Sequence, residues 1–320
     1  MDKKRLQQDR DHAMEFALVA GAEMAGVYEA TSQKASAKEV AERLGLDVRA
    51  VCIVLEALAH LGLLTQEEDG YQVAAPAREL FLHEDSPEYA GASFRHSVYI
   101  LRNWMRLSEV LKTGRPAGGE RTQEQHAAFM HAMNSRLDEA VEHVVNRCME
   151  TASSDSIVLD LGGGPGKYAR SFAKRAKRVV LFDLPRVIDH VKDAYELSGV
   201  QNIELVGGDM SQCLPDPMFD VVFLGHICHM WSPEENQSLL ERVARKLSLG
   251  GVLGVVDFVR GHSEWAPLFA VNMLVNTPGG NTYTFEEYKN WLELAGLTEV
   301  SLEAVPGRDS QLLLSKKALG

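Results

Sequence analysis

Apolar positions recur at helical spacing along the first part of the chain. Over residues 12–30, Phe16, Val19, Ala20, Met24 and Val27 fall near one face, which predicts a helix with one buried side. Ser36 stands three residues before Glu39, a capping box that opens a second helix, and Gly45 closes it. Asp47 caps a third, with Val48, Val51, Cys52, Leu55, Leu58 and Ala59 on one stripe. The run LLTQEEDGYQVA then predicts two short strands turning at Asp69-Gly70. Helix, turn, helix and hairpin in this order make a winged helix. Residues 112–124, rich in glycine and charge, read as a linker, and 123–151 as a long helical stretch.

From residue 156 the pattern changes. Short β-rich runs (IVLDL, RVVLFDL, NIELVGGD, FDVVFLGH, GGVLGVVDFV) alternate with helical ones (GKYARSFAKRA, VIDHVKDAYELS, SPEENQSLLERVARKL). Such alternation predicts a parallel sheet with helices on both faces. The end differs: a helix capped by Thr284 and Glu287 leads to two strand-like stretches, 298–305 and 311–315.

Composition narrows the partners. Over 320 residues, 33 Lys and Arg face 45 Asp and Glu, a formal net charge of −12. That excess argues against nucleic acid or an anionic membrane. The winged helix itself, residues 36–75, carries three basic residues (Lys38, Arg43, Arg49) against seven acidic ones. A reader of duplex DNA needs cations facing phosphates, so dimerisation or substrate enclosure suits this unit better. The four cysteines are scattered without a C-x-x-C pair, the start is charged, and no apolar run approaches ~18 residues. A cytoplasmic protein is expected.

The candidate chemistry begins at IVLDLGGGPGKYA. A glycine cluster (Gly162, Gly163, Gly164, Gly166) follows a buried strand and precedes a helix, where ligand meets backbone without side chains. A dinucleotide fingerprint begun at Gly162 would need glycine at 167, where Lys167 stands; the spacing is instead D-x-G-x-G-x-G from Asp160. Asp183 ends the second strand and suits a ribose diol. Asp209 follows the third, with Met210 beside it to pack on an adenine. Either acid could instead cap the helix after it. At the far edge, His226 and His229 follow strand FDVVFLGH, and Asp257 ends GVLGVVD. Histidine suits general-base work at neutral pH. The H-x-C-H spacing also admits a metal, but no second ligand cluster accompanies it, so none is expected.

DLGGGPG, FDLP, GGDM and HICHMWSPEE, in this order, closely resemble the S-adenosylmethionine-dependent O-methyltransferases with an N-terminal winged-helix dimerisation domain. The resemblance spans nearly the whole chain. It implies an α/β fold: a class I methyltransferase Rossmann-like sheet of seven strands, one antiparallel near the end, behind a mostly α winged-helix domain. It places the dimerisation domain at 1–110 and the methyltransferase domain at 111–320, with its core at 151–320, in an intertwined homodimer. Asp160, Gly162, Gly164, Asp183, Asp209, Met210 and Gly225 would then form the S-adenosylmethionine site. Gly225 stands where relatives carry a cofactor-binding lysine.

The resemblance also puts His229 at the family's general-base position and Asp257 at that of a flanking carboxylate. It implies that Phe129, Met133, Met273 and Asn276 line the pocket of a small, aromatic acceptor. One departure is visible. Relatives often carry G-G-x-E-R-T; here PGGNTYT puts Thr282 where Glu would stand and Tyr283 where Arg would. With one flanking acid instead of two, the base is expected to be weaker, which suits an acidic phenol or a carbon nucleophile.

Overall fold

Asp2 accepts a hydrogen bond from the Arg5 N–H and so opens α1 (Lys3–Met24), earlier than residue 12. The polar first turns are exposed and carry an Arg5–Asp9 ion pair, which explains why the apolar stripe missed them. Gly26, at φ 77°, breaks the expected single helix before α2 (Val27–Ala30). The capping box on Ser36 and Glu39 opens α3 (Ala37–Leu44), and Asp47 caps α4 (Val48–His60). Strands β1 (Leu64–Glu67) and β2 (Gly70–Val73) pair antiparallel with Glu67 opposite Gly70, so the loop is Glu68-Asp69, one residue earlier than expected. Glycine is required at 70 because a Cβ there would lie 2.8 Å from the Ala35 carbonyl oxygen. Helices α5 (Ala75–Phe81) and α6 (Gly91–Trp104) follow. Val40, Leu55, Leu58 and Ala77 are wholly buried in this part, and Tyr28 stacks on Phe81 with centroids 4.2 Å apart.

This computed structural model describes residues 2–84, 86, 88–119, 122–134, 138–195 and 197–319. It divides into two units: Met1–Arg102 with Arg121–Ala132, and Asn103–Glu120 with Met133–Gly320. The expected linker begins inside α7 (Leu107–Thr113). Within the long helical stretch lie α8 (Gln123–Asn134) and α9 (Asp138–Cys148), and 135–137 lie outside the described residues.

The second unit is built on a sheet. In chain order it contains β3 (Ile157–Leu161), α10 (Lys167–Ala173), β4 (Arg178–Asp183), α11 (Pro185–Ala194), β5 (Ile203–Gly207) and β6 (Phe219–Gly225). Then come α12 (Pro233–Lys246), β7 (Leu247–Asp257), α13 (Ala266–Asn276), α14 (Phe285–Leu294), β8 (Leu297–Ala304) and β9 (Gln311–Lys317). The seven strands lie in the order β5-β4-β3-β6-β7-β9-β8. All neighbours are parallel except β9, which runs antiparallel to both β7 and β8. Central strands read as unbroken apolar runs because both faces are covered: Val158, Leu159, Val179, Val180, Leu181 and Val221 to Leu224 are fully buried. From β3 the chain winds outward through β4 and β5, then returns to place β6 on the other side of β3. That reversal opens a crevice at the carboxyl ends of β3 and β6, where ligands bind in open α/β sheets.

Candidate active site

The turn after β3 is made of backbone. Gly162, Gly164 and Gly166 have φ of 75°, 52° and 74°, the left-handed region that a side chain strains. A Cβ on Gly162 would lie 2.3 Å from Ile227 Cδ1 and 3.2 Å from Met210 Cε. Three loops therefore meet at Gly162: its own, the one after β5 and the one after β6. Below the turn, Asp160 is 1% exposed, and a Cβ on Gly163 would sit 2.9 Å from its Oδ2. It supports the loop from inside the fold.

Asp183 closes β4 beside that turn. Its Oδ2 accepts from the Gly164 N–H at 2.9 Å and its Oδ1 from the Leu184 N–H at 2.7 Å. Burial pushes its carboxyl above the ordinary range despite these bonds. Each oxygen has a lone pair beyond those bonds, a pair of acceptors suited to a diol. Asp209 is exposed, takes the Ser211 N–H at 2.8 Å, and is held low by its bonds to Ser211. Met210 is buried, with its carbonyl tied by Arg242. A Cβ on Gly225 would meet Phe223 at 2.9 Å and Tyr168 at 3.5 Å, so the ring of Phe223 takes the room a longer side chain would need. A side-chain-free turn, a half-buried carboxylate and an apolar side chain beside Gly162 fit an adenosine-bearing cofactor.

The second cluster lies at the ends of β6 and β7. His226 has φ 62°, and among the described residues it and Glu299 are the non-glycine residues with positive φ. Its N–H is tied to the Val256 carbonyl at 2.8 Å. The chain then makes a 3₁₀ turn, Cys228–Met230, that buries His229. Asp257, with no exposed surface, accepts four hydrogen bonds. Oδ1 takes the His229 Nδ1–H at 2.7 Å and the Phe258 N–H at 2.9 Å; Oδ2 takes the His229 N–H at 3.0 Å and the Tyr288 hydroxyl at 3.1 Å. Burial alone would push this carboxyl up; His229, then His226 and the Phe258 N–H, reverse that and hold it below the ordinary range. An ionised Asp257 obliges Nδ1 of His229 to carry hydrogen, which leaves Nε2 as an acceptor.

His226, His229 and Asp257 bring ligand-type atoms within 4.8 Å of one another. All four carboxylate lone-pair sites already receive donors, so the cluster is a hydrogen-bond network by construction. Around it lie rings: His229 meets Phe269 edge-on at 4.8 Å, Phe258 lies 4.5 Å from Phe269, and His226 lies 5.2 Å from Phe258.

The expected acceptor residues divide. Met273 is buried on α13. Asn276 is committed there: Oδ1 accepts from Asn103 at 2.7 Å, and Nδ2 donates to the Asn272 carbonyl and side chain at 2.8 and 3.0 Å. Met133 belongs to the same unit, whereas Phe129 belongs to the other, beside His96 with centroids 5.3 Å apart. The stretch PGGNTYT lies against the turn that carries His229. The Asn281 N–H binds the His229 carbonyl at 3.0 Å, Thr282 gives its hydroxyl to the Ala266 carbonyl at 3.1 Å, and Tyr283 gives its own to the Trp231 carbonyl. Tyr288 is the participant that sequence reasoning missed.

A sequence model described as the O-methyltransferase domain matches residues 113–298. The tetracenomycin polyketide synthesis 8-O-methyl transferase TcmO of Streptomyces glaucescens is 32% identical over 292 residues, 85% of this chain and 84% of that protein. The 3-hydroxy-5-methyl-1-naphthoate 3-O-methyltransferase of Streptomyces sahachiroi is 28% identical over 296 residues, 86% of this chain and 84% of that one. The crystal structure of human N-acetylserotonin methyltransferase in complex with SAM has the same fold, with TM-score 0.80 at 22% identity over 99% of each chain. The backbone-built turn beside a half-buried carboxylate suits such a cofactor, and the chain belongs to the O-methyltransferase family, as an S-adenosylmethionine-dependent enzyme acting on a small-molecule acceptor.

Proposed function

We propose that His229 is the general base for methylation of a phenolic hydroxyl on a planar aromatic acceptor. The observation that carries this reading is the 2.7 Å bond from His229 Nδ1 to the buried Asp257, which aims an unprotonated Nε2 away from the carboxylate. S-adenosylmethionine supplies an electrophilic methyl group on a sulfonium. His229 takes the hydroxyl proton as the oxygen attacks, and Asp257 stabilises the imidazolium that forms. Gly162, Gly164, Asp183, Asp209 and Met210 hold the cofactor, and Asp160 holds the turn. The partly exposed rings of Phe258 and Phe269 favour a flat acceptor, and Met133 and Met273 shape its pocket. The bacterial relatives named above act on a polyketide and a naphthoate, which makes fused-ring phenols the first compounds to try.

We further propose a homodimer in which residues 1–110 form the dimerisation domain and 111–320 the catalytic one. Leu6, Met14, Val48, Ile53 and Leu101 are large apolar side chains left exposed in the first unit, surface that a twin would cover. No helix among the described residues is long and apolar enough to cross a membrane. Four free cysteines suit the reducing cytoplasm, where we place the protein. A screen of phenolic, quinonoid and indolic acceptors by mass spectrometry tests the substrate class. Products heavier by one methylene are expected from the phenols. Methylation confined to non-phenolic acceptors would overturn the reading.

A further inference from the structure

We propose that Tyr288 is a positioning residue of the catalytic pair, its hydroxyl setting the basicity of His229 through Asp257. Tyr288 is fully buried on α14, 31 residues beyond the carboxylate it meets. Its ring is wedged edge-on between Tyr283 and Trp291, with centroids 6.1 and 5.4 Å away. The helix beneath it is fixed by the capping box of Thr284 and Glu287. The hydroxyl therefore reaches Asp257 Oδ2 from a rigid element, at 3.1 Å.

That bond does two things that packing alone would not. It occupies the last lone-pair site of the carboxylate, so Asp257 has no freedom to rotate away from the imidazole. It also draws charge from Oδ2, which weakens the pull of Oδ1 on the His229 proton. Of the other groups facing the pair, Tyr283 spends its hydroxyl on the Trp231 carbonyl. Cys228 carries a thiol that burial pushes up, and the His226 ring places Nδ1 at 3.9 Å from Asp257 Oδ1. Phe269, from α13, brings no charge. The phenol stays protonated, since burial and the adjacent carboxylate both push its pKa well up. Tyr288 thus completes a carboxylate that Thr282, committed to the Ala266 carbonyl, does not touch.

The inference rests on His229 as base but is read without turnover. The full-length protein, saturated with S-adenosylhomocysteine and labelled at histidine Cε1, is titrated by NMR. The His229 signal is identified by its loss in His229→Gln. Tyr288→Phe removes the donor and should raise the His229 pKa by roughly half a unit or more. Difluorotyrosine placed at 288 donates more strongly and should lower it. If Tyr288→Phe does not fold, the fluorinated protein decides alone. A His229 pKa that either folded protein leaves unchanged overturns the proposal, whatever happens to the melting temperature. If the pKa shifts while His229→Ala keeps its turnover, the base assignment fails and the electrostatic coupling stands.

Discussion

Two carboxylates sit at the carboxyl edge of one sheet and are built for opposite tasks. Asp183, ending β4, accepts two backbone N–H bonds and has acceptor capacity beyond them; burial pushes its carboxyl up. Asp257, ending β7, is more deeply buried and accepts four hydrogen bonds, yet is held below the ordinary range because His229, then His226 and the Phe258 N–H, outweigh the loss of water. Burial alone therefore does not decide the state of a carboxylate; the imidazoles beside Asp257 do. Asp183 is an incomplete acceptor, which in the proposed function a ligand finishes. Asp257 is a completed one, in the same proposal a fixed charge that orients His229.

The pH signs are opposite as well. Asp183, raised in the fold, contributes stability that is present below its unfolded pKa and lost as pH rises through its folded one. Asp257, lowered in the fold, contributes stability present above its unfolded pKa and lost as pH falls through its folded one.

The largest effect is expected at the turn beside Asp183. Gly162→Val combines a left-handed φ with a Cβ 2.3 Å from Ile227, and calorimetry should detect no S-adenosylhomocysteine binding. Substitution at Asp257 should leave that binding unchanged and strike turnover instead. Asp257→Asn points an amide NH₂ at groups that are themselves donors, so turnover should fall through a misset tautomer, by no more than the roughly 10²–10⁴ that losing His229 itself costs. The melting temperature should drop with it, by the equivalent of about 1–3 kcal/mol.

Asp183→Asn is milder. Losing a charged acceptor for a hydroxyl costs about 1.5–3 kcal/mol, roughly 10- to 100-fold in cofactor affinity, with turnover at saturation little changed. Wild-type affinity should also weaken as pH falls through the raised pKa of Asp183, and Asp183→Asn should flatten that dependence. If the two Asn variants exchanged phenotypes, the division of labour would be wrong.

The turn after β3 and the acids that end β4 and follow β5 were legible as places in the fold because each carries a local signature. His229 and Asp257 were legible as neighbours at one sheet edge because each ends a strand or follows one, while their proposed roles come from the resemblance. Tyr288 was not. In TFEEYKNWLELAG it looks like any core aromatic, and only the fold brings it to Asp257. Helix α13 was also missed: in APLFAVNMLVN nearly every position is apolar, so no period stands out. The hairpin turn slipped by one because Gly70 is glycine for the sake of Ala35, not for the turn. The place of Asn276 came from the resemblance alone; that its amide joins Asn103 to Asn272 depends on two helices meeting, which no local pattern encodes.

The base assignment itself is tested most directly by the pH profile of His229→Ala with saturating cofactor and a phenolic acceptor. At pH 7, turnover should fall by roughly 10²–10⁴, the usual worth of a positioned base. Cofactor affinity should hold, and activity should return as the pH approaches the acceptor's own pKa, where the hydroxyl ionises unaided. Retention of more than about a tenth of wild-type turnover at pH 7, too small a loss for a general base, would contradict it.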